Sequence, residues 1–89
     1  MFEATDQFPK VSQGLEINPV ADGYVVYQSE RDRVHYLNTT AALILELCNG
    51  RNAESEFPEL LRSAFDLSAS PIAEVETCLQ MLRTEGLIL

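Results

Sequence analysis

The hydrophobic pattern of this chain changes its period once, at Asn38–Thr40, and this change constrains the fold more than any other feature. Before it, three short segments combine alternating apolar residues with aromatic and β-branched residues, which is typical of strands. After it, three segments repeat their apolar residues at the 3.6-residue period of an α-helix. The sequence therefore predicts an α+β domain in which a three-stranded antiparallel sheet is followed by three helices.

The predicted strands are Val11–Val20, Tyr24–Gln28 and Val34–Leu37. The alternation in Val11–Val20 is imperfect because Gly14 and Pro19 interrupt it. Tyr24–Gln28 is the strongest of the three strands, since aromatic and β-branched residues fill it. The connections between the strands are short, so neighbouring strands should pair in an antiparallel meander.

The first predicted helix, Ala41–Cys48, is apolar on almost every side, which favours a central buried position. Asn38–Thr40 supplies candidate N-cap residues directly before it. We expect Leu43, Ile44 and Leu47 to lie at the junction between the sheet and the helices.

The second and third helices are predicted from apolar residues three and four positions apart. The second should begin near Ser55–Phe57, and the third should open with Ser70 as N-cap and Pro71 at the first helical position. Gly86 should end the third helix, and Leu87–Leu89 should pack back on the body as an extended segment. The expected apolar stripes are Phe57, Leu60, Leu61, Ala64 and Phe65 in the second helix, and Ile72, Val75, Leu79 and Leu82 in the third.

A chain of 89 residues with 46% hydrophobic content has room for one compact domain. We expect this domain to occupy residues 10–89, after a loose, polar lead-in at residues 1–9. Met1–Gln7 lacks the basic flank and apolar run of a signal peptide, which indicates a cytoplasmic, reduced protein. Cys48 and Cys78 are then expected to be small core hydrophobes, and a disulfide between them is the alternative.

The formal net charge of −8 and the scarcity of cations limit the classes of partner. The six Lys and Arg residues are dispersed, whereas binding to a nucleic acid or to an anionic membrane requires clustered cations. We therefore expect neither partner, and a peptide with some positive charge would be steered towards the domain. The single histidine, His35, has no second histidine or Cys-x-x-Cys pair to complete a metal site. No catalytic residues and no cofactor are predicted.

The third predicted strand offers a possible binding surface. If Arg33–Leu37 lies at an edge of the sheet, its unpaired N–H and C=O groups face outwards. An edge beside the third helix would form a slot for an extended peptide, which is a known mode of recognition.

Two segments give the chain a family resemblance. Val34–Gly50 consists of an apolar strand, Leu-Asn, threonines, small residues and an Ile-Leu helix ending in Asn-Gly. Glu74–Ile88 is an amphipathic helix followed by Glu, Gly and two aliphatic residues. Together these segments resemble the coenzyme PQQ synthesis protein D (PqqD-like) family, over about residues 9–89. This family is also known as the RiPP recognition element, where RiPP denotes a ribosomally synthesised, post-translationally modified peptide.

The resemblance implies a winged-helix-like fold and a non-catalytic adaptor function. Such domains bind the leader segment of a precursor peptide as a fourth strand, between the third strand and the third helix. They present the precursor to a modifying enzyme, such as a radical SAM maturase, a cyclase or a leader peptidase. Transferred to this chain, the peptide contacts are Arg33, Val34, His35, Tyr36 and Leu37 on the strand, and Glu74, Cys78, Met81 and Glu85 on the helix, with Val75 and Leu82 as a groove floor.

Two other classes of function are the alternatives to an adaptor. A winged-helix DNA-binding or regulatory domain has the same order of elements, but an acidic third helix fits poorly against phosphates. An enzyme is a third alternative, and no residue pattern favours it. The sequence leaves the peptide pathway open between PQQ, lasso peptides and other peptides that radical SAM enzymes modify.

Overall fold

The computed structural model describes residues 7–89, so residues 1–6 of the predicted lead-in lie outside the described part. A three-stranded antiparallel sheet precedes three helices, which confirms the predicted α+β fold and the order of its elements. Short 3-10 turns connect some of the elements. The strands are β1 (Leu15–Val20), β2 (Gly23–Gln28) and β3 (Arg33–Asn38), and the helices are α1 (Thr39–Leu47), α2 (Phe57–Ala64) and α3 (Ile72–Thr84).

The sheet is an open meander with the order β1-β2-β3. Val26 of β2 lies opposite Ile17 of β1 and opposite His35 of β3, so β2 is the central strand. The first strand is shorter than predicted. Gly14, with a φ of +79°, makes a turn before β1, and Val11 forms a separate bridge with Ile88 instead of continuing the strand.

Helix α1 follows β3 without a connecting loop because Asn38 both ends the strand and caps the helix. Its side-chain Oδ1 accepts a hydrogen bond from the backbone N–H of Ala41 at 2.9 Å, which satisfies one of the free donors of the first turn. Ile44 is completely buried at the junction with the sheet and the other helices, as predicted. Leu43 and Leu47 are only partly buried and pack against the same core.

Helix α2 begins at Phe57, which places Pro58 in the first turn, where proline is tolerated. Only Phe57 and Leu61 of its predicted apolar stripe are buried. The expectation that the whole stripe enters the core was therefore wrong. Leu60 and Phe65 are exposed by 37% and 36%, and Ala64 is also exposed.

Helix α3 begins at Ile72, and Ser70 is not its N-cap as predicted. The Ser70 hydroxyl instead donates to the Glu59 carboxylate at 3.4 Å. Ile72 is 57% exposed, so it does not belong to the core stripe as expected, whereas the other three predicted core residues of α3 are buried. Gly86, with a φ of +75°, follows the end of the helix.

The chain after α3 packs back on the body, as predicted. Leu87 and Ile88 are buried, and the Leu87 carbonyl accepts a hydrogen bond from the Ser12 backbone N–H at 2.9 Å. Residues 7–9 are also held, because the carbonyls of Gln7 and Pro9 accept hydrogen bonds from Glu54 and Gly50. The core consists of Val26, Leu37, Ala42, Ile44, Leu45, Cys48, Phe57, Leu61, Val75, Leu79, Leu82, Leu87 and Ile88.

Both cysteines are free thiols, so the alternative of a disulfide between Cys48 and Cys78 is not realised. No helix within residues 7–89 has the length and apolar character needed to cross a bilayer.

Candidate functional site

The outer edge of β3 pairs with no other strand in the described part of the chain. The loop before β3 returns the chain tightly because Asp32 adopts a left-handed conformation, with a φ of +51°. Six residues of β3 then run straight into α1. Backbone N–H groups alternate in direction along a strand, so about every second donor of β3 points away from β2.

Side chains of β3 alternate between the helix side of the sheet and its outer face. Arg33, His35 and Leu37 lie opposite core-facing residues of β2 and therefore point towards the helices. Leu37 is only 2% exposed, so it can offer a ligand its backbone but hardly its side chain. Val34 and Tyr36 lie on the outer face and are 65% and 56% exposed.

Helix α3 runs beside β3 in the opposite direction. Arg33, at the start of β3, pairs with Glu85, directly after α3. Asn38, at the end of β3, lines a groove together with Glu74 of the first turn of α3. The distance from Arg33 to Asn38 is about 17 Å at ~3.4 Å per residue, and that from Glu74 to Glu85 is about 16 Å at ~1.5 Å per residue. The strand edge and the helix face are therefore matched in length, and we call the space between them the β3–α3 slot.

An open groove of about 510 Å³ lies at the Asn38 end of the β3–α3 slot. Three of the residues predicted for the site, Glu74, Cys78 and Met81, line its α3 wall. Val75 and Leu82 do not line this groove, because both are buried in the core. Val75 instead borders a second groove, between α2 and α3. The remaining lining residues, which the sequence did not single out, are Asn38, Thr40, Ala41, Ala73 and Thr77.

A polar cluster closes the opposite end of the slot. The carboxylate of Glu85 lies 3.2 Å from Arg33 Nη2 and 4.0 Å from His35 Nδ1. The backbone carbonyl of Glu85 accepts hydrogen bonds from Gln28 Nε2 at 3.1 Å and from Arg31 Nη1 at 3.2 Å. These contacts tie the β2–β3 hairpin to the end of α3.

His35 is fixed within this cluster by Gln28, a buried polar residue that the sequence did not single out. The Gln28 amide nitrogen donates to Glu85, so its oxygen faces His35 Nε2, 3.0 Å away. His35 Nε2 must therefore carry the proton of this hydrogen bond. His35 is thus a polar side chain whose orientation in the slot is fixed by Gln28.

The second groove, of about 530 Å³, lies between α2 and α3. Its lining includes Glu54, Glu59 and Glu76, and no strand edge borders it. The two grooves are similar in size, but only the first adjoins unpaired backbone groups.

Both thiols of the chain have raised pKa values. Burial raises the pKa of the Cys48 thiol to about 12, and burial also raises the pKa of Cys78. Both thiols are therefore protonated near neutral pH, whereas a nucleophile needs the thiolate. Within residues 7–89, no three or more His, Cys, Asp or Glu side chains are grouped closely enough to hold a metal ion.

This molecule is thus a small α+β domain in which the open edge of β3 lies beside helix α3. The family model for coenzyme PQQ synthesis protein D (PqqD) matches residues 23–88, and the chain belongs to this family. The match covers all of β2 and β3 and the three helices. Neither the search of curated proteins nor the search of solved structures returned a match. Membership implies a part in PQQ or RiPP biosynthesis, in which PqqD is a small accessory protein.

Proposed function

We propose that this protein is a non-catalytic adaptor that binds the leader segment of a ribosomally made precursor peptide. The leader adds to the outer edge of β3 as a fourth strand, and the adaptor presents the rest of the precursor to a modifying enzyme. The observation that carries this proposal is the β3–α3 slot, in which an open strand edge and a helix face of equal length lie side by side. Strand addition uses main-chain hydrogen bonds for affinity and side-chain pockets for selection.

The slot divides these two tasks between its walls. The backbone of Arg33–Leu37 supplies the ladder, and the side chains of Val34 and Tyr36 continue the outer face of the sheet beside the leader. On the other wall, Glu74 and Met81 are exposed and Cys78 is partly buried, so these side chains are available to contact the leader. Affinity and selection can therefore be changed separately by mutation.

The enzymes that would receive the precursor are those of the peptide pathway, such as a radical SAM maturase, a leader peptidase or a cyclase. Duplex DNA is a poor alternative partner. Helix α3 carries Glu74 and Glu76, and its one cation, Arg83, is paired with Glu54. DNA binding gains free energy when protein cations neutralise phosphates and release their counterions. A helix without a free cation releases few of them.

A titration tests the proposed function directly. The labelled leader of the precursor encoded nearest to this gene is titrated with the protein by fluorescence anisotropy, with no cofactor added, and a duplex DNA is titrated in parallel. We expect saturable binding of the leader and none of the duplex. Tight binding of the duplex without binding of the leader would instead favour a DNA-binding domain.

A proline scan of β3 then tests whether the leader binds at this edge. The N–H groups of Val34 and Tyr36 point to the same side of β3, and the N–H group of His35 points to the other side. Val34→Pro and Tyr36→Pro therefore remove donors on one side, and His35→Pro removes a donor on the other. Proline at a position whose N–H points towards β2 breaks the sheet ladder and should destabilise the fold. Proline at a position whose N–H points away from β2 should leave the domain folded but weaken leader binding ten-fold or more, about 1.4 kcal/mol.

Folding of each proline variant is controlled by circular dichroism, so that loss of binding in an unfolded variant is not counted. Amide chemical shifts of the wild-type protein provide a second measurement during leader titration. Shifts that cluster on Leu15–Val20 and leave Arg33–Leu37 unmoved would place the peptide on the β1 edge and contradict the assignment.

A further inference from the structure

The groove at the Asn38 end of the β3–α3 slot combines an apolar surface with a single charged group. Ala41, Ala73, Cys78 and Met81 contribute apolar surface, and Glu74 is the only carboxylate or cation among the described residues that line it. A groove of about 510 Å³ exceeds the volume of a single side chain, so an apolar side chain and a neighbouring polar one fit together. The charge of Glu74 then decides which polar neighbour is favoured.

Glu74 has no compensating cation in the described part of the chain. It forms no ion pair and no side-chain hydrogen bond there. Two cations along the slot and on α3 are already neutralised, since Arg33 pairs with Glu85 and Arg83 pairs with Glu54. Arg31 forms no ion pair among residues 7–89, but it donates to the Glu85 carbonyl at the opposite end of the slot. The net charge of −8 adds to this negative potential at longer range.

The N-termini of α1 and of α3 both border the groove and act in the opposite sense, since Glu74 lies in the first turn of α3. Each carries a partial charge of roughly +0.5 that is spread over its backbone N–H groups, whereas the carboxylate is a full charge on an exposed side chain. The Asn38 side chain already accepts a hydrogen bond from the N–H of Ala41, so one donor is unavailable to an anionic ligand. Because the carboxylate of Glu74 is exposed and the whole domain carries a net charge of −8, the groove favours a cation of the ligand over an anion.

We propose, resting on the leader-binding function above, that the leader combines a large apolar side chain with a lysine or arginine two residues away. The apolar side chain enters the groove against Cys78 and Met81, and the cation pairs with Glu74. The spacing follows from the geometry of the two walls. Glu74 and Cys78 are about 6 Å apart along α3 at ~1.5 Å per residue. Alternate residues of a strand, which face the same wall, are about 6.7 Å apart.

The test uses a phage-displayed library of random peptides about twelve residues long, twice the length of β3. Wild-type protein should enrich peptides in which Lys or Arg stands two positions from Leu, Ile, Met or Phe. Glu74→Lys should enrich Asp or Glu at that position instead. Glu76→Lys is the matched control, because Glu76 lies on the same helix but lines the groove between α2 and α3. It changes the net charge equally and should leave the enriched pattern unchanged.

A double-mutant cycle on one enriched peptide then measures the pairing. Glu74→Gln, or replacement of the basic residue of the peptide by methionine, should each weaken binding roughly two- to five-fold, the range of a solvent-accessible ion pair. Both changes together should weaken it little further, and the coupling should diminish at high salt.

The outcomes separate this inference from the proposed function. Enriched peptides without a basic residue at a fixed spacing, or an unchanged pattern with Glu74→Lys, would overturn the charge pairing while leaving the adaptor function intact. The charge pairing would also be overturned if Glu74→Gln and the loss of the basic residue of the peptide weakened binding independently. If folded wild-type protein enriches no peptide and binds no leader, the adaptor function fails and this inference fails with it.

Discussion

Ile44 should be among the most costly core positions to truncate. Its side chain is completely buried in the middle of α1, where the sheet and the other helices meet. Ile44→Ala removes three carbon groups, which corresponds to about 2.4 kcal/mol of transfer free energy at ~0.8 kcal/mol each. The cavity left behind adds to this value, so we expect a loss of about 3–4 kcal/mol, within the range for such truncations.

That loss is large for a domain of this size. A chain of 89 residues should have a total unfolding free energy of about 4–13 kcal/mol. Ile44→Ala therefore removes about a quarter of the stability at the upper end of this range, and nearly all of it at the lower end. Urea denaturation, followed by circular dichroism, gives the unfolding free energy. The slope of this free energy against urea concentration should be the same for Ile44→Ala as for the wild-type protein.

Leu43→Ala is the matched comparison, one residue away on the same helix. Leu43 is only partly buried, so its truncation should cost less than half as much as that of Ile44. A loss below about 1 kcal/mol for Ile44→Ala, or a larger loss for Leu43→Ala, would refute the central position of Ile44.

Two further predictions concern the backbone and the thiols. Gly23→Ala should destabilise the sheet strongly in thermal unfolding, because its methyl group would overlap the Leu37 carbonyl oxygen. Gly14→Ala meets no neighbour and should cost only the conformational strain of about 1–2 kcal/mol, so equal losses would contradict the packing at Gly23. Because burial raises the pKa of Cys48 to about 12, its folded thiol stays protonated while the unfolded thiol ionises near its ordinary value. Unfolding free energy should therefore fall as pH rises from about 9 to about 12, less so in Cys48→Ala, and native Cys48 should resist alkylation near pH 8 until urea is added.

The local pattern of the sequence was enough to predict all six elements, but not how wide a surface each one buries. The five apolar positions of α2 define an amphipathic helix, yet only Phe57 and Leu61 reach the core. α2 packs on α1 and α3, whereas α1 also packs on β2 and β3. Periodicity reveals which face of a helix is apolar, and the extent of its partner surface depends on tertiary contacts.

The candidate site was only partly accessible from the sequence for a related reason. The edge position of β3 follows from short connections and could be predicted, as could the α3 face with Glu74, Cys78 and Met81. The other wall of the groove, formed by Thr40 and Ala41, depends on how α1 packs against α3. No local pattern encodes that packing, because the two helices are separated in sequence by α2.

The polar cluster around Glu85 explains why selection should be concentrated at the opposite end of the slot. Gln28 and Arg31 both donate to the Glu85 carbonyl, and Arg33 pairs with its carboxylate, so the separation of the hairpin and α3 is fixed there. A peptide at that end meets groups whose hydrogen bonds are already made and gains little by replacing them. At the Asn38 end the groove is open and Glu74 has no ion-pair partner among residues 7–89, so a matching side chain of a leader forms an interaction that this part of the free protein lacks. Under the proposed function, substitutions in the Glu85 cluster should alter the shape of the slot, whereas substitutions of Glu74 and Met81 should alter which leader is bound.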